Sequence, residues 1–163
     1  MARTYISVGS NVDARKNTIN VIAELKARFG VLTCSKIYES KAVGFDGDDF
    51  LNLVVAADTE LSVGELSQLL KSIEVQYGRK KGQPKFSART LDLDILTYDD
   101  LCGNYDGVEL PRGEILSYAF VLLPLVDVAA EELHVEKKKS YRTLWEEFTG
   151  DKQGLWPIDL DVE

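Results

Sequence analysis

Leu91, Leu93 and Ile95 alternate with Asp92 and Asp94 inside residues 90–98. Successive side chains of a strand point to opposite faces, so this stretch predicts a strand with one apolar face and two carboxylates on the other. Such a strand needs a sheet to join and a cover for its apolar face, and the preceding chain supplies both. A strand is expected over 3–9, carried by Tyr5, Ile6 and Val8 and broken by Gly9-Ser10-Asn11. A helix follows over 13–29, with Ile19, Ile22, Ala23 and Phe29 forming a partial stripe and Gly30 as its stop. Residues 31–39 are rich in Thr, Val, Ile and Tyr and predict a strand, 40–49 a loop, and 50–57 a strongly apolar strand. Ser62-Val63-Gly64-Glu65 has the form of a capping box. Leu66, Leu69, Leu70 and Ile73 then repeat at helical spacing to about Tyr77, where Gly78 ends the helix. The order β-α-β-β-α-β predicts an α+β fold of ferredoxin-like architecture, an antiparallel sheet with both helices on one face. Beyond it, 99–109 is expected to be mostly loop with a short strand near Val108. C-terminal helices are expected over 119–130, interrupted around Pro124, and over 140–148, capped by Ser140; the last residues should be poorly fixed.

The chain has 163 residues, which predicts a single domain over 1–163 with enough length for a core without staples. The formal net charge of -8 disfavours a general nucleic-acid binder. No apolar run approaches the ~20 residues that span a bilayer. The polar residues Gly9, Ser10 and Asn11 come too early for a signal-peptide core. Cys34 and Cys102 are far apart and make no disulfide framework, so a reduced, cytoplasmic protein is expected. His134 is the only histidine, which disfavours a His-rich zinc site; a partly buried structural role is expected for it.

Asp92 and Asp94 would stand roughly 6–7 Å apart along one strand face. Two carboxylates this close repel, and a bound cation relieves the repulsion. Magnesium commonly takes one or two carboxylates and completes its shell with water and phosphate. Arg79, Lys80, Lys81, Lys85 and Arg89 lie in the loop before the strand, with no acid among them. A cationic loop feeding a carboxylate pair suits a magnesium–polyphosphate complex, the cations on phosphate oxygens and the acids on the metal. The alternative is a solvated lysine loop beside an acidic sheet face. No Walker-type loop or protein-kinase motif set is present.

The runs from Ile73 to Arg79 and from Ala88 to Ile95 resemble the 6-hydroxymethyl-7,8-dihydropterin pyrophosphokinase family. Gly9-Ser10-Asn11, Val43-Gly44 before Phe50-Leu51-Asn52, and Phe120-Val121-Leu122-Leu123-Pro124-Leu125 support the likeness, which runs collinearly from about Tyr5 to Glu131. The resemblance implies magnesium-dependent transfer of pyrophosphate from ATP to the hydroxymethyl group of a reduced pterin, releasing AMP, in folate biosynthesis. It implies that Asp92 and Asp94 hold two magnesium ions and that Arg79 and Arg89 act at the phosphates. It places Glu74, Lys81, Lys85, Phe86, Ile95, Arg112 and Tyr118 with Arg79 and Arg89 around ATP. For the pterin it implies Asn52 on the polar ring edge, Phe50 and Phe120 on the ring faces, and Ser40, Val43 and Gly44 completing the pocket. A monomer is expected, with ATP and the pterin as its partners.

The chain departs from the family pattern on the nucleotide side. Arg112 replaces a usual His, Tyr118 a usual Arg, Lys85-Phe86 a usual Arg-Trp pair, and Lys81 stands at another commonly basic position. Lysine keeps the charge but loses bidentate phosphate geometry. The alternative reading is therefore a divergent paralogue that binds a pterin with weak or altered transferase activity. A ferredoxin-like single-strand RNA binder is a third class, disfavoured because Asp92 and Asp94 would repel a phosphate backbone.

Overall fold

The computed structural model describes residues 1–41, 49–78, 91–150, 152 and 154–160. The expected core is present in the expected order: β1 (Ala2–Ser10), α1 (Ala14–Phe29), β2 (Leu32–Cys34), β3 (Ile37–Ser40), β4 (Phe50–Thr59), α2 (Val63–Gln76) and β5 (Asp92–Tyr98). The sheet order is β5-β1-β4-β3, with β2 also pairing β4, and all neighbouring pairs are antiparallel. This is the ferredoxin-like α+β arrangement. The box at Ser62 is complete: its side chain accepts from Glu65 N, and Glu65 reaches back to Ser62 N. Gly30 and Gly78 close α1 and α2 with φ of 79° and 93°, which glycine adopts without strain.

The sheet carries a core on each face. Ile6, Val8, Leu51, Leu53, Val55, Leu93 and Ile95 pack against Val21, Ile22 and Leu25 of α1 and Leu66, Leu70 and Ile73 of α2. Tyr5, Val54, Ala56 and Leu96 face the other way. The helices that cover them are α3 (Glu114–Ser117), α4 (Ala119–Ala129) and α5 (Tyr141–Glu147). Ser140 caps α5 by accepting from Thr143 N, as expected. Tyr38 of β3 donates to Asp127 of α4 at 2.7 Å, and Tyr5 of β1 donates to Glu132, tying this helical layer to the sheet. Among the described residues, no helix is long and apolar enough to cross a membrane.

Four local expectations differ from the structure. The single strand expected over 31–39 is two, because a bulge at Ser35-Lys36 separates the Cys34–Val55 pair from the Tyr38–Asn52 pair. Ser35 stays bonded through the break, its amide donating to Val54 O and its hydroxyl accepting from Val54 N. The stretch 99–109 has the short strand expected near Val108, β7 (Val108–Leu110), but also an unexpected partner, β6 (Gly103–Tyr105), so that it forms a hairpin. Its turn is Asp106-Gly107, both at positive φ, the chemistry a two-residue hairpin turn demands. Helix α4 runs through Pro124 without interruption. Burial of Pro124, Leu122 and Leu125 against the sheet compensates for the one backbone bond that proline cannot donate. Finally, the C-terminal stretch supplies β8 (Leu155–Ile158), which pairs with β3 at the sheet edge.

Candidate active site

Gly9 lies opposite Asn52 on one side and Asp92 on the other; Ser7 pairs with Asp94, and Ser40 with Phe50. Directly paired residues on adjacent strands share a face, so Ser40, Phe50, Asn52, Asp92 and Asp94 come together on the face away from α1 and α2. Three strands therefore deliver Ser40, Phe50 and Asn52 of the predicted pterin set, and both predicted metal ligands, to one surface. Gly9 keeps the middle of the row low: a Cβ there would stand 3.5 Å from Asn52 Oδ1. The absence of that atom leaves room for a ligand to approach the backbone between Asn52 and Asp92.

The carboxylate pair is held from behind. Leu93, between the two aspartates, is buried at 5% exposure, and its amide donates to Glu74 Oε2 at 2.8 Å. Glu74 is itself buried, at 7% exposure. The expected nucleotide contact at Glu74 thus has a second role beside it, clamping α2 to the strand that carries Asp92 and Asp94. Ile95 points into the α1/α2 core, so any contact it makes with a nucleotide falls to its backbone.

In front of the pair stands Arg112. A bulge in β5 sets Ile6 opposite Ile95 but Tyr5 opposite Thr97, making Leu96 an extra residue. The carbonyl of Leu96 accepts from Arg112 N at 2.9 Å, which docks the segment after β7 against β5. Arg112 Nη2 lies 3.0 Å from Glu114 Oε1 and 3.3 Å from Asp94 Oδ1. Burial works against its charge, but Asp94, Glu114 and Asp92 outweigh burial and hold the guanidinium pKa above its ordinary value. Glu114 was not anticipated from the sequence; only the two-residue spacing from Arg112 hinted at the contact.

On the other flank, Asn52 Nδ2 donates to Ser40 Oγ at 2.8 Å, with both residues buried. The pair presents fixed polar groups on a dry floor, and Phe50 lies half-buried beside it. Phe120, in the first turn of α4, stacks on Tyr118 with ring centroids 4.9 Å apart and an interplanar angle of 25°. Tyr118 therefore belongs to an aromatic pair. Val43, Gly44, Arg79, Lys81, Lys85, Phe86 and Arg89 lie outside the described residues.

The donor set fits magnesium. Asp92 and Asp94 offer hard oxygens from one face of one strand, and no group of three metal-ligating side chains forms among the described residues. Two carboxylates make half a site, of the kind a hydrated magnesium ion completes with substrate phosphates.

A model of the 7,8-dihydro-6-hydroxymethylpterin-pyrophosphokinase (HPPK) family matches residues 5–130. The chain belongs to the HPPK family. Among curated relatives, it is 34% identical to 2-amino-4-hydroxy-6-hydroxymethyldihydropteridine pyrophosphokinase of Aquifex aeolicus, over 82% of this chain and 84% of that one. The Synechocystis enzyme of the same name is 31% identical over 97% of this chain and 81% of its own. A mitochondrial folate synthesis bifunctional protein of Arabidopsis thaliana is 37% identical over 76% of this chain, which covers 23% of it. The HPPK fold is seen in solved structures of Plasmodium falciparum HPPK-DHPS. One has a TM-score of 0.69 at 14% identity over 96% of this chain, which spans 47% of the solved chain.

Proposed function

We propose that this HPPK family member transfers pyrophosphate from magnesium-bound ATP to the hydroxymethyl group of 6-hydroxymethyl-7,8-dihydropterin, releasing AMP. Pyrophosphokinase activity in folate biosynthesis follows from family membership. The finer reading rests on one observation: the strand register puts Ser40, Phe50 and Asn52 on the same face as Asp92 and Asp94. A pterin held at the first group has its substituent within the same surface as phosphates held at the second.

Asn52, oriented by Ser40, reads the polar ring edge of the pterin. Phe50 and Phe120 supply aromatic surfaces for its faces. Val43 and Gly44, which lie outside the described residues, are assigned to the pterin by the family resemblance alone. Asp92 and Asp94 would hold magnesium, which would supply neutralisation of phosphate charge when bound. Arg112, Tyr118 and the backbone at Ile95 are assigned to the nucleotide, and the family resemblance adds Arg79, Lys81, Lys85, Phe86 and Arg89, which lie outside the described residues. Glu74 keeps the aspartates in register. The pterin alcohol attacks the β-phosphorus of ATP, and AMP leaves. The protein's contribution is positioning and charge neutralisation rather than covalent chemistry. The exposed, unpaired Cys34 and Cys102 agree with a cytoplasmic setting.

The test mixes purified protein with magnesium, ATP and the pterin and follows AMP by chromatography. AMP is expected only when the pterin is present. Asp92→Ala and Asp94→Ala are each expected to lower turnover about a hundredfold or more, with the thermal melt retained. Full activity in both variants would remove the metal assignment.

One observation favours a second reading, a family member with low turnover or a different donor. Arg112 lies on Asp94, and Tyr118 is stacked on Phe120, at two positions where the resemblance implies a usual His and a usual Arg. In that case the double substitution Arg112→His with Tyr118→Arg raises turnover; an unchanged rate removes this reading.

A further inference from the structure

Arg112 is placed with unusual care for a side chain at the mouth of a polar site. Its backbone is pinned to the extra residue of the β5 bulge, since Arg112 N donates to Leu96 O at 2.9 Å. Its guanidinium reaches back over Asp94. One nitrogen, Nη2, serves two carboxylates, Glu114 at 3.0 Å and Asp94 at 3.3 Å. Glu114 is the closer partner and the one with hydrogen-bond geometry. The contact with Asp94 is the longer one, and it is the one a competing cation would break. Arg112 Nε is buried with no hydrogen-bond partner among the described residues. A guanidinium offers five donors in a planar fork, so this position leaves part of its capacity unused. Two phosphate oxygens would use the fork far better.

A guanidinium and a divalent cation compete for the one negative charge of Asp94, and each repels the other there. We propose that Arg112 is a resident counter-cation of the carboxylate pair, which a divalent cation must displace from Asp94. The displaced guanidinium passes to the phosphates of the nucleotide while Glu114 keeps it close. The site then resists a bare metal ion and takes one up tightly only together with a polyphosphate. Metal and nucleotide affinities become coupled through Arg112, and by linkage the coupling is the same in both directions. This proposal rests on the assignment of Asp92 and Asp94 as the metal-holding pair.

Manganese is a suitable probe because the free ion is counted directly by electron paramagnetic resonance. Mn2+ binding is measured to the whole chain alone and with α,β-methylene ATP. The proteins compared are the parent chain, Arg112→Gln, Arg112→Met, Arg112→Lys and Asp94→Asn. Gln and Met both remove the charge while filling similar space, so a folding failure in one leaves the other, and melts identify the folded variants. In the absence of nucleotide, Arg112→Gln and Arg112→Met are expected to bind Mn2+ about tenfold more tightly than the parent. Arg112→Lys, which keeps the charge, should stay nearer the parent. The gain in Mn2+ affinity on adding the analogue should shrink in the two neutral variants. Unchanged nucleotide-free affinity in the folded neutral variants, with binding still lost in Asp94→Asn, overturns the role of Arg112 and leaves the metal assignment standing. Unchanged binding in Asp94→Asn, with and without the analogue, overturns both.

Discussion

Glu74 is buried in α2, and its carboxylate accepts from the amide of Leu93, the residue between the two aspartates. Removing it strands a buried N–H and loosens the strand that presents both candidate ligands. Glu74→Ala is expected to destabilise the fold by about 1–3 kcal/mol, read by urea denaturation. His134 is another buried polar residue, held by its own turn. It is 2% exposed, and its Nδ1 accepts from the amides of Glu136 and Lys137, each at 3.2 Å, which requires that nitrogen unprotonated. Burial lowers its pKa, with Lys137 adding to the effect and Glu136 working against it. A His with a lowered folded pKa contributes stability that is present above its unfolded value, near 6.5, and is lost as pH falls through the folded one. The thermal midpoint should therefore fall below about pH 6.5, and His134→Gln should flatten that dependence. The structural role expected for His134 is the one it has.

Elements differ in how completely their own residues specify them. Helix α2 carries its start signal in Ser62 and Glu65 and its stop in Gly78, and the structure realises both. Ser62→Ala should cost about 1 kcal/mol in thermal or urea unfolding. The β6–β7 hairpin was just as legible in principle, because Asp106-Gly107 is a strong turn signal, but its strands are too short to show alternation. Strand β8 is the contrary case. Nothing in Leu155-Trp156-Pro157-Ile158 alternates, and a proline argues against a strand. It forms because β3 leaves an edge open, where Pro157 needs no donor on its outer side, and because Trp156 Nε1 donates to Glu39 at 2.9 Å. Trp156→Phe keeps the ring and loses that bond; a lower thermal midpoint is expected, on the order of 1 kcal/mol.

At the scale of the whole molecule, helices pack on both faces of the sheet, and the two faces differ in how far they are covered. The α1/α2 face is sealed by apolar residues along its length. The other is sealed by α4 only over Tyr5, Val54, Ala56 and Leu96, while the row from Ser40 to Asp92 carries the candidate site. Leu125 is fully buried in that second core. Leu125→Ala should cost about 2–5 kcal/mol by urea denaturation, since the cavity lies beneath a rigid sheet. The core β-α-β-β-α-β order, both helix caps and the face carrying Asp92 and Asp94 were determined by the sequence alone, because period and capping are local properties written in consecutive residues. Which residues meet across strands was decided only by the tertiary structure. The Asn52–Gly9–Asp92 row, the grip of Glu74 on Leu93 and the reach of Arg112 to Asp94 each join distant segments. Register, a bulge and the closing of an open sheet edge bring them together, and no short stretch of the chain encodes those contacts by itself.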